Sequence, residues 1–572
     1  MRESAAAEGG PPALEGRLDR TLGFAPAALV ALLLATAIAL LVLVAANREF
    51  QVDEVEHIHT AYNLRDGRLI YRDFAQVHPP LLYVLLYPFV DPGEPVSSFR
   101  LARAFSSTVL LSTIVLVACC AHWLAGRRAA ALAAGLALLQ TTLIERGIEV
   151  RGDGVLALLI MLALASELSP RARSEARRFA FQGLMLGLGV VVTLKAVFPL
   201  ALFGVHWLST ALRQKRFALV AGPVAACLTP LLLTLASTFL LGNLREFVQQ
   251  SLLDAGSAGL GSKERATFSP VPYLLHEGGR NLVFFAMALG AAAVELKAAA
   301  TPGASSPRRR FTLGLAVGMF ASLWANPFPW PYVHVAVLPP LAVLAASATL
   351  RLANGFDARR GSRMARWLPG VALLLAALTA VPRLAAKSLP AMSAQLDTLR
   401  AVQRASAPDD RFFDLAGLYF RPDAYPAFAM SADLFRWYTL GRFPPIPETL
   451  RENEAVGIIL NYRVGWLRPH EKEFVSERFV RYTGNLLLLG RELTNAPIGA
   501  DFEFEALKSK PFRFEGAGTI RVDGAPFLQG PISKGRHRIR VEALAGPGRL
   551  ILASAPPDVA AAAPVDLYVP FD

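Results

Sequence analysis

Cysteine is almost missing from this chain of 572 residues, which carries three: Cys119, Cys120 and Cys227. All three lie inside apolar runs, so neither a disulfide framework nor a cysteine-based zinc site is available. Charged residues are scarce as well, at 18%, and the long uncharged stretches exclude a large soluble core. No G-x-x-x-x-G-K-[ST] loop occurs, which excludes direct ATP drive through a P-loop. No internal repeat relates the apolar segments, and no Ser-His-Asp arrangement can be localised. The net charge of +13 would suggest nucleic acid in a soluble protein. Here the basic residues stand in short clusters between apolar runs, which points to membrane topology instead.

Hydrophobic residues make up 53% of the chain. The first apolar run, Gly23 to Ala46, is too long for a signal-peptide h-region and follows a segment that is not predominantly basic. It reads as a retained helix. Further runs fall at 102–124, 129–145, 154–168, 179–194, 196–211, 217–241, 281–298, 311–325, 331–350 and 367–386. The expected fold class is therefore a polytopic α-helical membrane protein of about eleven transmembrane helices. With the N-terminus in the cytoplasm, the arginine clusters "GRR", "SPRARSEARR", "LRQKR", "SSPRRR" and "RLANGFDARRGSRMAR" all fall on the inside, as the positive-inside rule asks.

That topology places a first external loop at 47–101 and gathers ionisable residues at one membrane face: Asp53, Glu54, His57, His59, Asp73, His78, Arg103, Glu149, Arg151, Asp153, Lys195 and His334. Ionisable groups at helix ends of a bundle are costly and read as functional by default. Arg100, Arg245 and Lys263 read equally well as snorkelling or solvated side chains. An acidic pair directly after the first helix suits a general base that deprotonates a hydroxyl. Lys and Arg at the same face suit a phosphate. A lipid phosphate leaves without needing a proton, so a single carboxylate base suffices, unlike the pair of a glycosidase. A divalent metal held by Glu54 and His57 stays open. On a helix, however, the two histidines of His57-Ile58-His59 point to different faces. Tyr332 and Trp330 lie on the active side near helix ends, where aromatic belts also form.

The last third is different. Its apolar runs shrink to strand length in "RFFDLAGLYF", "AVGIILNY", "NLLLLGREL", "FRFEGAGTIRVDG", "HRIRVEAL" and "RLILASA". "SAQLDTLRAVQRAS" is amphipathic, and "VDGAP" and "SKGRH" read as turns. The expected organisation is a cytoplasmic tail (1–22), a membrane domain (23–386), an extracytoplasmic mixed α/β domain (387–495) and a small β-sandwich (496–572).

In order along the chain, Asp53-Glu54, "LIYRDF…HPPLLYVLLYPF", "RAFSS" (103–107), "EVRGDGVLALLIMLAL" (149–164), "VVTLKAVFPL" (191–200) and "WPYVHVAVLPPLAVLAA" (330–346) resemble the membrane glycosyltransferases of the protein O-mannosyltransferase type. This family 39-like group has the GT-C fold and includes bacterial polyprenyl-phosphate-sugar transferases. The likeness covers roughly 24–350; the C-terminal region carries no motif of the family. The resemblance implies an integral membrane enzyme that moves a monosaccharide from a polyprenyl or dolichyl phosphate to an acceptor outside the cytoplasm, with inversion. It further implies Asp53 as the base that activates the acceptor and Glu54 as its orienting partner. Arg103, Arg151 and Lys195 would be cations at the donor, with Lys195 on the lipid phosphate, and Asp153 would hold Arg151. His57, His59, His78, Tyr332 and His334 would support the site. The branch and the Ala/Arg-rich composition imply a bacterial inner membrane, and a glycolipid, polysaccharide or protein acceptor. Two other readings stand beside it: a transporter or flippase for lipid-linked sugars, which calls for polar residues along a mid-membrane path, and a non-catalytic envelope assembly protein.

Overall fold

A computed structural model of the chain describes residues 24–171, 174–254, 270–302, 305–326, 330–360, 364–494, 496–557 and 563–568. The expected tail at 1–22, Lys263 and part of the Ala/Pro-rich C-terminal end lie outside the described residues. Each of the eleven apolar runs lies in helix: α1 (Phe24–Asn47), then, after the loop helices α2 (Val52–Arg65) and α3 (Leu81–Leu86), α4 (Pro95–Ala125), α5 (Arg127–Leu138) with α6 (Thr141–Gly147), α7 (Gly152–Leu168), α8 (Glu175–Val192), α9 (Val197–Gln214) and α10 (Ala218–Leu240). The short α11 (Leu244–Phe247) and α12 (Pro270–Arg280) precede α13 (Leu282–Ala300), α14 (Pro307–Ala325), α15 (His334–Arg360) and α16 (Met364–Lys387).

Among the described residues, seven helices are long and apolar enough to cross a membrane: α1, α4, α9, α10, α13, α15 and α16, two of them lengthened by a preceding 3₁₀ turn. At 1.5 Å per residue, α1 extends about 36 Å, more than the roughly 30 Å hydrocarbon core. The other four runs fall short for visible reasons. The run at 129–145, expected as one helix, breaks at Leu139-Gln140, where the Gln140 side chain accepts from Leu143 N at 2.9 Å and starts α6. Helix α7 has only 17 residues, and α8 and α14 begin on charged turns.

Helix α15 is apolar on all sides and packs against α4, α5, α7, α13, α14 and α16, which makes it the centre of the bundle. Helices α8 and α10 approach most closely through Gly183-x-x-x-Gly187. A Cβ at either position would come within 2.3 Å of a backbone carbonyl of α10, so only glycine fits there.

After α16 the chain forms α17 (Ser393–Ala405), α18 (Ala432–Thr439), α19 (Ile446–Glu452) and α20 (Pro469–Arg478). Its strands are β1 (Arg411–Phe413), β2 (Ala455–Ile459), β3 (Phe479–Thr483), β4 (Leu486–Glu492), β5 (Asp501–Ala506), β6 (Lys510–Val522), β7 (Ala525–Phe527), β8 (Gln529–Ile532) and β9 (Gly535–Leu552). They join in one network, ordered β1-β2-β4-β9-β6-β7, with β3 on β4, β5 on β9 and β8 on β6. Strand β4 pairs with β2 through Leu486–Leu488 and with β9 through Gly490–Glu492. The expected boundary at 495/496 therefore falls inside a single hydrogen-bonded sheet, where a separate sandwich of two facing sheets was expected. "HRIRVEAL" and "RLILASA" run together as the 18-residue β9.

The structure also departs from the expected strand "RFFDLAGLYF", which pairs only over its first three residues. The Asp414 carboxylate then accepts from the N–H groups of Ala416, Gly417 and Leu418 at 2.8, 2.6 and 2.8 Å. With Leu415 and Gly417 at positive φ, the chain curls into a buried loop rather than continuing the ladder. This region docks on the joint between α1 and α2. Gln395 of α17 accepts from Phe50 N and donates to Phe50 O, both at 2.7 Å.

Candidate active site

Four residues separate α1 from α2, whose start is fixed where Glu54 accepts from the Gln51 N–H at 2.9 Å in a capping box. The helix is buried along nearly all its length, so its faces meet different neighbours. Residues 53, 56 and 57 share one face, and 59 and 63 another.

On the first face, Asp53 Oδ2 accepts from Arg151 Nη1 at 2.5 Å and Oδ1 from Arg463 Nη2 at 3.3 Å. Arg151 is the extended residue before α7, and Asp153 sits in the first turn of that helix. Asp153 Oδ1 accepts from Lys195 Nζ at 2.7 Å, with its other oxygen 3.6 Å from Arg151 Nε. Lys195 belongs to the 3₁₀ turn between α8 and α9. Tyr332, in the turn that leads into α15, lies beneath both cations, its ring centre 3.6 Å from the Arg151 guanidinium carbon and 4.4 Å from Lys195 Nζ. Four separate segments thus build one alternating row of five residues: Arg463, Asp53, Arg151, Asp153, Lys195. Three cations and two carboxylates leave one positive charge. The row opens to solvent at Asp53 and Lys195, whose side chains are 22% and 28% exposed, while the other three are buried.

The electrostatics follow from this packing. Burial alone would raise the Asp53 carboxyl, but the guanidiniums of Arg151 and Arg463 outweigh it and hold the group well below the usual carboxylate range. Glu56, one turn on, is pushed up to about 7 by burial and by the Asp53 charge. His57 lies with its ring 5.1 Å from that of His78, and the Tyr83 hydroxyl is 3.2 Å from its Nδ1. Burial, then His78 and Arg151, hold His57 well below the ordinary histidine value. Burial, then Arg151 and Lys195, bring His78 down to about 4. Both rings are neutral beside the cationic row.

The structure puts the other expected residues elsewhere. Glu54 is fully buried and forms a two-point pair with Arg103, at 2.6 and 3.2 Å, while also accepting from Val150 N. Arg103 donates further to the carbonyls of Arg48 and Glu49 and lies over the Phe50 ring. Its donors are spent inside the protein rather than presented to a donor phosphate. Glu54 and His57, the pair considered for a metal, engage different partners. Among the described residues, no group of three or more His, Cys, Asp or Glu side chains is arranged to hold a metal ion. His59 turns to the other face of α2, where its ring nitrogens meet Tyr419 O at 2.6 Å and Asp423 Oδ1 at 2.8 Å. Asp423 also accepts from Asn63, Arg68 and the Tyr419 hydroxyl. Gly417 lies so close to His59 that a Cβ there would meet the His59 Cβ at 2.7 Å and its ring at 2.9 Å. His334 starts α15, two residues after Tyr332, and its Nε2 is buried without a partner.

Two members of the site were not singled out as site residues from the sequence. Glu56 is visible only through its spacing of one helical turn from Asp53. Arg463 is 410 positions away from Asp53 in the chain, and its only local signal is a polar "NYR" directly after the buried strand β2.

This architecture is similar in fold to GT-C glycosyltransferases. The crystal structure of ArnT from Cupriavidus metallidurans bound to undecaprenyl phosphate matches with a TM-score of 0.55 at 14% identity, over 80% of this chain and 97% of that one. The apo state of the same protein matches with a TM-score of 0.55 at 15% identity and the same coverage. At these identities the likeness is one of fold. No family model matches the chain, and no curated protein matches its sequence.

Proposed function

We propose that this chain is a membrane glycosyltransferase that moves a monosaccharide from a polyprenyl phosphate to an acceptor hydroxyl outside the cytoplasm, with inversion at the anomeric carbon. The observation that carries this reading is the alternating row from Arg463 to Lys195, open at Asp53 and Lys195, at one end of a GT-C-like bundle. Asp53 takes the acceptor proton as the acceptor oxygen attacks the anomeric carbon. The bond from that carbon to the phosphate oxygen breaks, and the electron pair leaves with the lipid phosphate towards Lys195 and Arg151. An Asp53 held down by two guanidiniums is a weak base. A donor phosphate that draws Arg151 towards itself relieves one of them and strengthens the base as the donor arrives. Glu56 has the higher proton affinity, but it is buried beside Gln76 and has no open approach for an acceptor.

Glu54 and Arg103 act in this reading as the brace that holds the start of α2, and His59 as the anchor to the extracytoplasmic region. In this reading the four shorter runs join the seven membrane-length helices in one bundle, with the N-terminus and the arginine clusters in the cytoplasm. This places the site at the periplasmic face of a bacterial inner membrane. The undecaprenyl phosphate bound by ArnT supports a polyprenyl carrier here. The ionisable pairs deeper in the helices, Glu167 with Arg178 and Glu295 with Arg351, lie towards the opposite end of the bundle.

The test is mass spectrometry of polyprenyl-phosphate sugars in native membranes carrying wild-type protein or Asp53→Asn at matched levels. The reading expects one lipid-linked sugar to accumulate in the variant. Identical profiles with a folded variant would contradict it.

A further inference from the structure

A second cluster of cations stands at the same end of the bundle, outside the row that contains Asp53. It lines a cavity of about 400 Å³ between the end of α1, α6, α12 and the last turn of α16. Arg48, Arg146, Arg280, Arg383 and Lys387 face it together with the carboxylates of Glu49 and Glu145. Most of these charges answer one another. Arg48 and Arg146 donate to Glu149 at 3.0 and 2.9 Å, and Arg280 donates to Glu145 at 3.0 Å.

Three groups remain. Arg383 has no carboxylate at ion-pair distance among the described residues, although its charge reaches Glu277, and it donates to the Arg280 carbonyl at 2.5 Å. Lys387 forms no ion pair or hydrogen bond among them. Arg48 is 2% exposed and its Nη groups donate to Glu145 O and Glu149, but its buried Nε has no partner among the described residues. A buried guanidinium N–H left unsatisfied beside two unpaired cations is costly unless something accepts from it. A tetrahedral oxyanion is the simplest group that serves all three at once.

We infer that this cavity is a binding site for the phosphate of an anionic phospholipid headgroup, distinct from the donor site at Arg151 and Lys195. Two features favour a lipid over free phosphate. The cavity lies at the ends of α1 and α16, two helices long and apolar enough to cross a membrane. Below it, α16 and α13 present Leu375, Leu378, Leu282 and Leu289 outward, giving acyl chains a continuous apolar wall. Glu49, the lining carboxylate without an ion partner among the described residues, disfavours a second negative charge in the same space.

The inference is independent of the glycosyltransferase reading and is tested without any transfer assay. Dioctanoyl phosphatidylglycerol is titrated into the delipidated full chain in detergent and followed by native mass spectrometry. An Arg151→Gln/Lys195→Gln background removes the donor site. One saturable lipid is expected in that background. Adding Arg383→Gln/Lys387→Gln weakens it about tenfold or more, as the loss of charge-assisted contacts predicts. Lys387→Gln alone, at a half-buried helix end, gives a smaller loss in the same direction and keeps the test valid if the double change impairs folding. Glu49→Gln tightens binding. Dioctanoylglycerol, which lacks the phosphate, does not occupy the site. Unchanged affinity in both cation variants would overturn the proposal. Displacement of the lipid by an equal concentration of inorganic phosphate would overturn its lipid part.

Discussion

Asp53 and Glu54 are neighbours in one helix and have opposite surroundings. Asp53 stands between two cations of a charged row, with a fifth of its side chain in solvent. Glu54 is sealed, and its oxygens are shared among Arg103, Gln51 N and Val150 N. About 100° of helical rotation separates a group that can meet a substrate from one that holds the loop in place. The same division runs further along α2, where His57 faces the row and His59 faces the C-terminal region. One amphipathic loop helix therefore does two jobs. One face carries Asp53 and the charged row, and the other fastens the C-terminal region onto the helical bundle.

The fastening side should show the largest loss of stability. Asp423→Ala leaves His59, Asn63 and Arg68 without their shared acceptor. Removing one member of a buried charged network typically costs about 3–5 kcal/mol. We expect a large drop in melting temperature and detachment of the C-terminal region, read out by limited proteolysis between α16 and β1. On the open side, Lys195→Gln should leave folding nearly unchanged. It should lower transfer by about ten- to a hundredfold through loss of one charge-assisted contact to the donor phosphate, with Lys195→Arg recovering part of it.

The smallest effect concerns Glu56. Its folded value of about 7 lies above the ordinary 4.5, so the fold binds this proton more tightly than the unfolded chain does. Its contribution is complete below pH 4.5 and is lost as pH rises through 7. Glu56→Gln keeps a neutral side chain throughout. Its melting temperature relative to wild type should therefore be higher at pH 8 than at pH 5. An offset equal at both pH values would place Glu56 outside the Asp53 field.

Much of the membrane region was legible because its signals are local. Apolar runs of helical length mark the helices, and Arg151 and Asp153, two positions apart, are both in the row, although Lys195 reaches Asp153 across 42 positions. The resemblance assigned Glu54 and Arg103 to the acceptor and the donor. In the structure they satisfy each other, because neighbouring residues on a helix face different ways and sequence order does not say which face is sealed. Arg463 was out of reach, since nothing in "NYRVGW" points across the fold to Asp53. The strand reading of "RFFDLAGLYF" failed at one residue. Asp414 captures three backbone N–H groups that a ladder would have used, and alternation of apolar residues does not register that competition.

The most direct test of the account is transfer activity per folded molecule for Asp53→Asn and Glu54→Gln, measured side by side with the folded fraction of each. The account predicts that Asp53→Asn folds like wild type and loses about 10²–10⁴ in rate. Glu54→Gln should lose stability while the molecules that remain folded keep most of their activity. A stable Glu54→Gln with no activity beside an active Asp53→Asn would contradict it.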